Sequence, residues 1–110
     1  AAIYRRELDP SVRTIAERDA GHVYHLFPVL TPGRDMLQEH LRASGIDTLI
    51  HYPIALPLQA AFSATAVSCP VAERAGRELL SLPLRPGMTD EDVRSVAAAV
   101  NDFMKGRVRA

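Results

Sequence analysis

The chain of 110 residues has one cysteine, Cys69, no tryptophan and no long apolar run. A single cysteine excludes an internal disulfide framework and is typical of proteins from a reducing compartment. No stretch approaches the roughly 18 to 20 apolar residues that a membrane-spanning helix needs. No signal segment opens the chain. We therefore expect a cytoplasmic, soluble protein that does not bind membranes.

The chain also lacks net charge. Thirteen basic and thirteen acidic residues cancel, so no overall field attracts the protein to nucleic acid. With 47% apolar and 24% charged residues, the composition is that of a globular protein with one modest core. The first eight residues, AAIYRREL, have the pattern of a helix end without a start signal, and no methionine precedes them. We expect the chain to be part of a longer protein.

Apolar periodicity and turn residues predict the elements of the first half. Two strands are expected at residues 11–15 and 22–30, the second rich in β-branched and aromatic residues. A helix follows, with Thr31 as N-cap, Pro32 at its first position and Gly45 just past its end. Its expected core residues are Met36, Leu37, His40 and Leu41.

The second half alternates strands and helices in the same way. A strand is expected at residues 47–52, a helix from Pro70 that turns Val71, Ala75 and Leu79 inward, and a strand at 80–84. A capping box of Thr89 and Asp92 starts the last helix. The core residues of that helix are expected to be Val93, Val96, Ala97, Val100, Phe103 and Met104. This order predicts an α+β fold, with a small, largely antiparallel sheet and helices packed on one face.

Three kinds of site are disfavoured by the residue pattern. His22 and His25 would point to opposite faces of a strand, and no acidic or thiol cluster is nearby, so no metal site is expected. Cys69 lies at a helix N-terminus, where a thiolate is stabilised, but no base can be assigned to it. Tyr24 and Phe27 could stack on RNA bases, yet the basic and aromatic pattern of RNA-binding sheets is missing. We expect neither a metal nor a nucleic acid partner.

The corner His51-Tyr52-Pro53 leaves two interpretations open. The proline can end a strand, with the two rings packed against the following loop. Alternatively, the histidine and tyrosine face a pocket, where an imidazole can exchange protons near neutral pH and a phenol offers a hydroxyl. The sequence pattern alone favours packing.

Ordered sequence blocks extend over nearly the whole chain: HVYHLFPV from His22, residues 34–41, GIDT from Gly45, IHYP from Ile50, PVAER from Pro70, LSLP from Leu80 and MTDEDV from Met88. In this order and at this spacing they resemble the C-terminal domain of the DegT/DnrJ/StrS aminotransferases. The resemblance implies a fold type I enzyme that uses pyridoxal 5′-phosphate to transfer an amino group, typically from glutamate. The acceptor would be a keto group on a nucleotide-activated sugar of a polysaccharide or antibiotic pathway, and the full-length enzyme would be a homodimer.

The same resemblance implies a division into domains. Residues 1–8 would end an interdomain helix, residues 9–110 would form the small C-terminal domain, and the large cofactor-binding domain would lie outside this chain. In such enzymes the lysine that carries the cofactor belongs to the larger domain. The one lysine here, Lys105, lies near the end of the last helix and is a poor candidate for a Schiff base. We predict no catalytic residue, no bound cofactor and no activity for this chain alone.

His51 and Tyr52 are the positions to which the resemblance assigns substrate contact, because the family's HYP corner runs near the cleft between domains. Many relatives continue with a Pro-Leu-His segment where this chain has Ala55-Leu56-Pro57, so a histidine common there is missing. Two alternatives to an aminotransferase stay open. One is a pyridoxal-phosphate-dependent sugar dehydratase of the same superfamily, in which a histidine replaces the lysine, and the other is a free-standing small α+β binding module.

Overall fold

The structure is a computed structural model that describes residues 1–65 and 67–108. Its elements, in chain order, are α1 (Ala2–Glu7), β1 (Arg13–Thr14), β2 (Phe27–Leu30), α2 (Arg34–Ala43), two 3-10 helices (Leu56–Leu58 and Ala60–Thr65), α3 (Pro70–Glu78), β3 (Leu79–Leu82) and α4 (Asp90–Val108). Within the described residues, no helix has the length and apolar character needed to cross a membrane.

The three strands form one antiparallel sheet in the order β1-β2-β3. Val29 pairs with Leu80, and both side chains are fully buried on the core face of the sheet. The adjacent pair along these two strands is Pro28 with Ser81. Because successive residues of a strand point to opposite faces, this second pair lies on the other face, which is called the second face below.

The core face of the sheet is covered by α1, α2 and α4. The helix α4 lies against both α1 and α2. The buried cluster consists of Tyr4, Leu8, Val12, Phe27, Val29, Leu37, Leu41, Leu80, Leu82, Val93, Val96, Ala97, Val100 and Met104. The predicted α+β fold with a small antiparallel sheet is confirmed, as is the predicted apolar stripe of α4. The prediction that the helices cover one face holds for α1, α2 and α4, whereas α3 contacts β2 and lies on the second face.

The helix α4 begins at the predicted capping box. The Thr89 N–H donates to Asp92 Oδ2 at 2.8 Å, and the Asp92 N–H donates to Thr89 Oγ1 at 3.1 Å. These bonds satisfy backbone donors that the start of a helix leaves free. Gly45, which follows α2, has a φ of 74° and takes the left-handed conformation predicted for it.

The helix α2 begins at Arg34, two residues after its predicted start. Thr31 is not its N-cap, because the Thr31 N–H donates to Glu78 O at 3.1 Å and so extends the pairing of β2 with β3. Gly33, with a φ of 79°, takes the N-cap position instead. Met36, predicted as a core residue, is 56% exposed, so the prediction was wrong at this position.

The strands predicted at residues 11–15 and 22–30 are shorter in the structure, and the strand predicted at residues 47–52 is absent. The strand expected at residues 22–30 begins only at its sixth residue, because Tyr24 has a φ of 48° and interrupts the extended conformation. The segment 47–52 forms one isolated bridge, between Leu49 and Ser81, rather than a strand. The chain therefore approaches the sheet at a single point before the His51-Tyr52-Pro53 corner.

Candidate functional site

The corner His51-Tyr52-Pro53 lies beside β3. The backbones of Leu49 and Ser81 exchange two hydrogen bonds, of 3.2 and 2.9 Å, which hold the segment against the strand. Two residues further on, His51 Nδ1 lies 3.0 Å from Ser81 Oγ. The imidazole is half-buried. A contact between residues 30 positions apart thus fixes the orientation of the His51 ring.

Tyr52 combines a strained backbone with an exposed ring. Its φ of 55° falls in the left-handed region, which bulky residues rarely adopt. The residue is 85% exposed, and its ring centre is 6.5 Å from that of His51. Strain of this kind costs about 1–3 kcal/mol and persists only where the surrounding contacts fix the backbone. Because the residue is so exposed, the Tyr52 ring is not packed against the following loop.

A groove of about 420 Å³ opens between the corner and α3. Apolar side chains of β2, β3, α3, the first 3-10 helix and the loops next to them make up most of its wall. Its polar members are His51, Tyr52, Gln59 and Ser81. The two residues singled out in the sequence thus line the same groove, on the second face of the sheet.

Small residues of α3 allow the backbone of the His51-Tyr52-Pro53 corner to lie close to this helix. A Cβ atom at Gly76 would lie 3.1 Å from Pro53 O, so a side chain at this position would press on the corner. Val71, predicted to point inward, is 85% exposed, because α3 turns Ala75 and Gly76 toward the groove instead. The prediction for Val71 was wrong.

A buried arginine fixes the end of α3. The side chain of Arg34 is 8% exposed, and its Nη1 donates to Leu79 O at 2.8 Å and to Gly76 O at 3.3 Å. Its Nε donates to Asp35 Oδ1 at 2.5 Å. A guanidinium suits this position, because carbonyl groups at a helix C-terminus carry partial negative charge. Arg34 therefore ties α2 to α3 and positions one wall of the groove.

A second groove, of about 500 Å³, lies between α1 and the segment that precedes β2. Its cationic group, Arg5, donates to Ile15 O at 2.7 Å and to the Tyr24 hydroxyl at 3.2 Å. The Tyr24 hydroxyl in turn donates to Glu17, and the Tyr24 N–H donates to His22 Nδ1 at 3.0 Å. The polar groups of this groove are thus hydrogen-bonded to one another, and their bonds stabilise the positive φ of Tyr24. We therefore assign these groups a structural role.

The residues considered for other chemistry do not assemble a site. In the ranges 1–65 and 67–108, no group of three or more His, Cys, Asp or Glu residues could hold a metal ion. The N–H of Cys69, at the N-cap of α3, donates to Glu73 Oε1 at 2.9 Å. The side chain of Lys105 is 69% exposed and lies 3.8 Å from Asp102 Oδ1, outside any enclosed pocket of the kind that Schiff-base chemistry needs.

Comparison with known proteins places these residues in a family. The sequence profile of the DegT/DnrJ/EryC1/StrS aminotransferase family matches residues 1–101. The chain belongs to this family. The resemblance inferred from the ordered sequence blocks is confirmed.

Among its relatives are two sugar transaminases. The dTDP-3-amino-3,6-dideoxy-alpha-D-galactopyranose transaminase of Aneurinibacillus thermoaerophilus is 42% identical over 86 residues, which are 77% of this chain and 24% of that one. The dTDP-3-amino-3,4,6-trideoxy-alpha-D-glucose transaminase of Streptomyces venezuelae is 42% identical over 88 residues, 77% of this chain and 23% of that one. The crystal structure of S. venezuelae DesV in complex with a ketimine intermediate superposes with a TM-score of 0.85 and 38% identity, over 93% of this chain and 29% of that one. This chain spans about a quarter of the length of these relatives.

In this aminotransferase-family chain, Ser81 is the partner of His51 but was not among the residues predicted to form the site. One signal was available, because Ser81 is a polar residue between two apolar strand residues, Leu80 and Leu82. Alternation in a strand places such a residue on the face opposite the core. Which residue it would contact there could not be inferred from the strand alone.

Proposed function

We propose that this chain is the small C-terminal domain of a pyridoxal-phosphate-dependent aminotransferase that acts on nucleotide-activated keto-sugars. Family membership carries the proposal. The names of the two relatives at 42% identity support a dTDP-linked deoxysugar as the type of substrate. Residues 1–8 would end an interdomain helix, and residues 9–110 would form the domain. Glutamate as the amino donor and a homodimer belong to the same proposal, for a longer polypeptide.

Pyridoxal 5′-phosphate supplies an electron sink for amino transfer when it is bound. This chain offers no suitable lysine for covalent attachment of the cofactor, because its one lysine, Lys105, is exposed and paired with Asp102. We therefore assign the attachment to the rest of the polypeptide, and assign this chain neither a catalytic residue nor a cofactor ligand. The contribution of this chain is to bind and orient the sugar.

His51 makes one of the two sugar contacts in this proposal. Ser81 holds Nδ1, so Nε2 is the ring nitrogen left for a ligand. When the Ser81 hydroxyl donates to Nδ1, Nε2 carries the proton and donates to a sugar oxygen. When Nδ1 donates to Ser81 Oγ, Nε2 accepts from a sugar hydroxyl instead. The contact with Ser81 therefore decides which kind of sugar oxygen the ring can bind.

Tyr52 makes the second sugar contact. Its hydroxyl can donate and accept, and its exposed ring lies next to His51 at the edge of the groove. A large aromatic residue in a left-handed conformation is costly for a folded chain, and such strain concentrates at ligand sites. The strain at Tyr52, together with the lack of packing around its ring, supports a role in binding.

The test uses the complete polypeptide that the gene encodes. The purified protein is incubated with glutamate, pyridoxal 5′-phosphate and a dTDP-linked 3-keto-6-deoxyhexose, and the amino sugar is detected by mass spectrometry. We expect amination that depends on glutamate. A protein that binds the cofactor but aminates no dTDP-, UDP- or GDP-linked keto-sugar would contradict the proposal.

The role of the corner is tested in the same assay with Tyr52→Phe. Loss of one hydrogen bond to the sugar should raise KM about tenfold, which corresponds to about 1.4 kcal/mol. The matched control is Tyr24→Phe, because Tyr24 is also a tyrosine with positive φ but its hydroxyl contacts Arg5 and Glu17. The control should keep the wild-type KM. Equal values of KM for the two variants would exclude a substrate contact by Tyr52.

A further inference from the structure

The groove beside the His51-Tyr52-Pro53 corner carries its polar side chains on one part of its lining. They come from the corner itself, from β3 and from Gln59, which follows the first 3-10 helix. The helix α3 contributes alanine and glycine, and among the described residues that line the groove none is Asp, Glu, Lys or Arg. Five lining residues without a polar side-chain atom are called the apolar wall below: Ala55, Leu56, Ala75, Gly76 and Leu79.

The carbonyl groups on the α3 side of the apolar wall are already hydrogen-bonded. Ala75 O accepts from the Leu79 N–H at the end of the helix. Gly76 O and Leu79 O accept from Arg34 Nη1, at 3.3 and 2.8 Å. The buried arginine therefore has a second effect besides joining α2 to α3, because it occupies carbonyl groups that a ligand in the groove could otherwise use.

The carbonyl groups on the 3-10 side of the wall are occupied in the same way. Ala55 O accepts from the Leu58 N–H at 2.8 Å, and Leu56 O accepts from the Gln59 N–H at 3.2 Å. All five carbonyl groups of the apolar wall thus have a donor within this chain. A ligand hydroxyl placed against the wall would have to compete with these donors.

A hydroxyl in such a position is costly, whereas a methyl group is not. Removing a hydroxyl from water without a compensating hydrogen bond weakens binding, and burying a methyl group against apolar side chains strengthens it. An apolar surface therefore rejects an added hydroxyl by about tenfold to a hundredfold. This groove combines groups that can bind sugar hydroxyls at the corner with a wall that favours a carbon without oxygen.

We propose that the apolar wall binds the C6 methyl group of a 6-deoxysugar, and that Ala75 determines the preference for this group over a hydroxymethyl group. The inference rests on the proposed function, in which His51 and Tyr52 bind oxygens of the sugar. C6 is the one carbon of a hexopyranose outside the ring. It can therefore reach the wall while ring hydroxyls contact the corner.

Ala75 is the position on α3 at which a polar atom could be added to the wall. Gly76 has no room for a side chain, because its Cβ would lie 3.1 Å from Pro53 O. Ala72 is exposed, whereas Ala75 is half-buried and lines the groove. The absence of a hydroxyl at Ala75 therefore leaves a hydroxylated C6 without a partner on this helix.

The first experiment compares two substrates of the complete polypeptide, a dTDP-linked 3-keto-6-deoxyhexose and the same sugar with a hydroxyl at C6. We expect kcat/KM to be about tenfold or more higher for the 6-deoxysugar. Equal values of kcat/KM for the two sugars overturn the inference.

The second experiment repeats this comparison with Ala75→Ser. Serine adds one hydroxyl to the wall with little change in volume, so the preference should fall to about twofold, through a higher kcat/KM for the hydroxylated sugar. The matched control is Ala99→Ser, because Ala99 is also a half-buried alanine of a helix but packs against the core. The control should keep the wild-type preference. An unchanged preference in Ala75→Ser overturns the assignment of this residue.

A binding measurement separates this inference from the proposed function, because it needs no amination. The alanine methyl groups of the complete polypeptide are labelled with carbon-13, and the probe is dTDP-6-deoxyglucose, whose C3 hydroxyl cannot accept an amino group from the cofactor. We expect a nuclear Overhauser effect between the C6 methyl group and the Ala75 methyl group, whose signal is assigned by its loss in Ala75→Ser.

The two measurements together distinguish the outcomes. A protein that shows the contact at Ala75 but aminates none of the keto-sugars retains the apolar wall and loses the proposed function. A protein that aminates both sugars equally well, or that aminates them without contact at Ala75, retains the proposed function and loses the wall. A protein that neither binds the probe nor aminates the sugars loses both.

Discussion

Tyr4 links the stability of this domain to alkaline pH. The side chain is fully buried, and its hydroxyl donates to Pro83 O at 2.8 Å. Burial raises the pKa of Tyr4 well above its ordinary value near 10, because a phenolate in the core would lose its hydration. The folded protein therefore keeps a proton that the unfolded chain releases above pH 10.

The sign of the effect follows from this order of pKa values. The folded-state pKa is the higher one, so the stabilising contribution is complete below about pH 10 and is lost as the pH rises toward the folded-state pKa. Over this range, each pH unit lowers the free energy of unfolding by about 1.4 kcal/mol. Tyr4→Phe removes the titration but costs about 1 kcal/mol at neutral pH, because the Pro83 carbonyl loses its donor. The stabilities of wild type and variant should therefore cross at about pH 11.

The assay is urea unfolding followed by circular dichroism, at a series of pH values from about 7 to about 11.5. The control is Tyr52→Phe, whose ring is exposed and whose stability curve should follow that of the wild type. If Tyr4→Phe shows the same decline above pH 10 as the wild type, the buried phenol is not the group that titrates, and the reasoning is refuted.

Three further predictions concern caps and the corner. Asn101→Ala removes two hydrogen bonds of 2.7 Å to the backbone at the end of α1, and should lower the free energy of unfolding in urea by about 1–3 kcal/mol. Hydrogen bonds from the Thr89 N–H and, second, from the Thr89 hydroxyl lower the pKa of Asp92. The stability that the Asp92 carboxylate contributes is therefore present above the unfolded-state pKa near 4, and is lost as the pH falls through the folded-state pKa. Asp92→Asn should flatten the acid limb of the stability curve, and Thr89→Ala should cost about 1 kcal/mol at neutral pH, both measured by urea unfolding. Ser81→Ala leaves His51 Nδ1 without its partner, and should change the tautomer ratio of that ring in nitrogen-15 spectra, whereas an unchanged ratio would mean that Ser81 does not set it.

The features predicted well from the sequence are those whose cause is local. The capping box of Thr89 and Asp92 joins residues three apart, and Gly45 is favoured after α2 because it takes a positive φ at little cost. The apolar stripe of α4 repeats within one helix and needs no knowledge of its partners. Such signals depend only on the neighbouring sequence, so the sequence contains all the information they require.

Strand lengths and the site depend on contacts between distant residues. Tyr24 and Tyr52 have β propensity, yet both take a positive φ that tertiary contacts fix. The contact of His51 with Ser81 joins residues 30 positions apart, and neither local pattern implies it. Periodicity favoured packing for the corner, and only the family resemblance singled out its two rings. Their role in substrate contact is still a prediction.

The strand β3 separates the core from the candidate site. Leu80 and Leu82 are buried among α1, α2 and α4, while Ser81 between them pairs with Leu49 and holds His51 on the second face. A polar change at Ser81 therefore acts on the His51 ring without removing any core side chain. The groove wall contributed by the first 3-10 helix lies on the same second face. Residues of the proposed sugar site can thus change there while the core face continues to specify the fold.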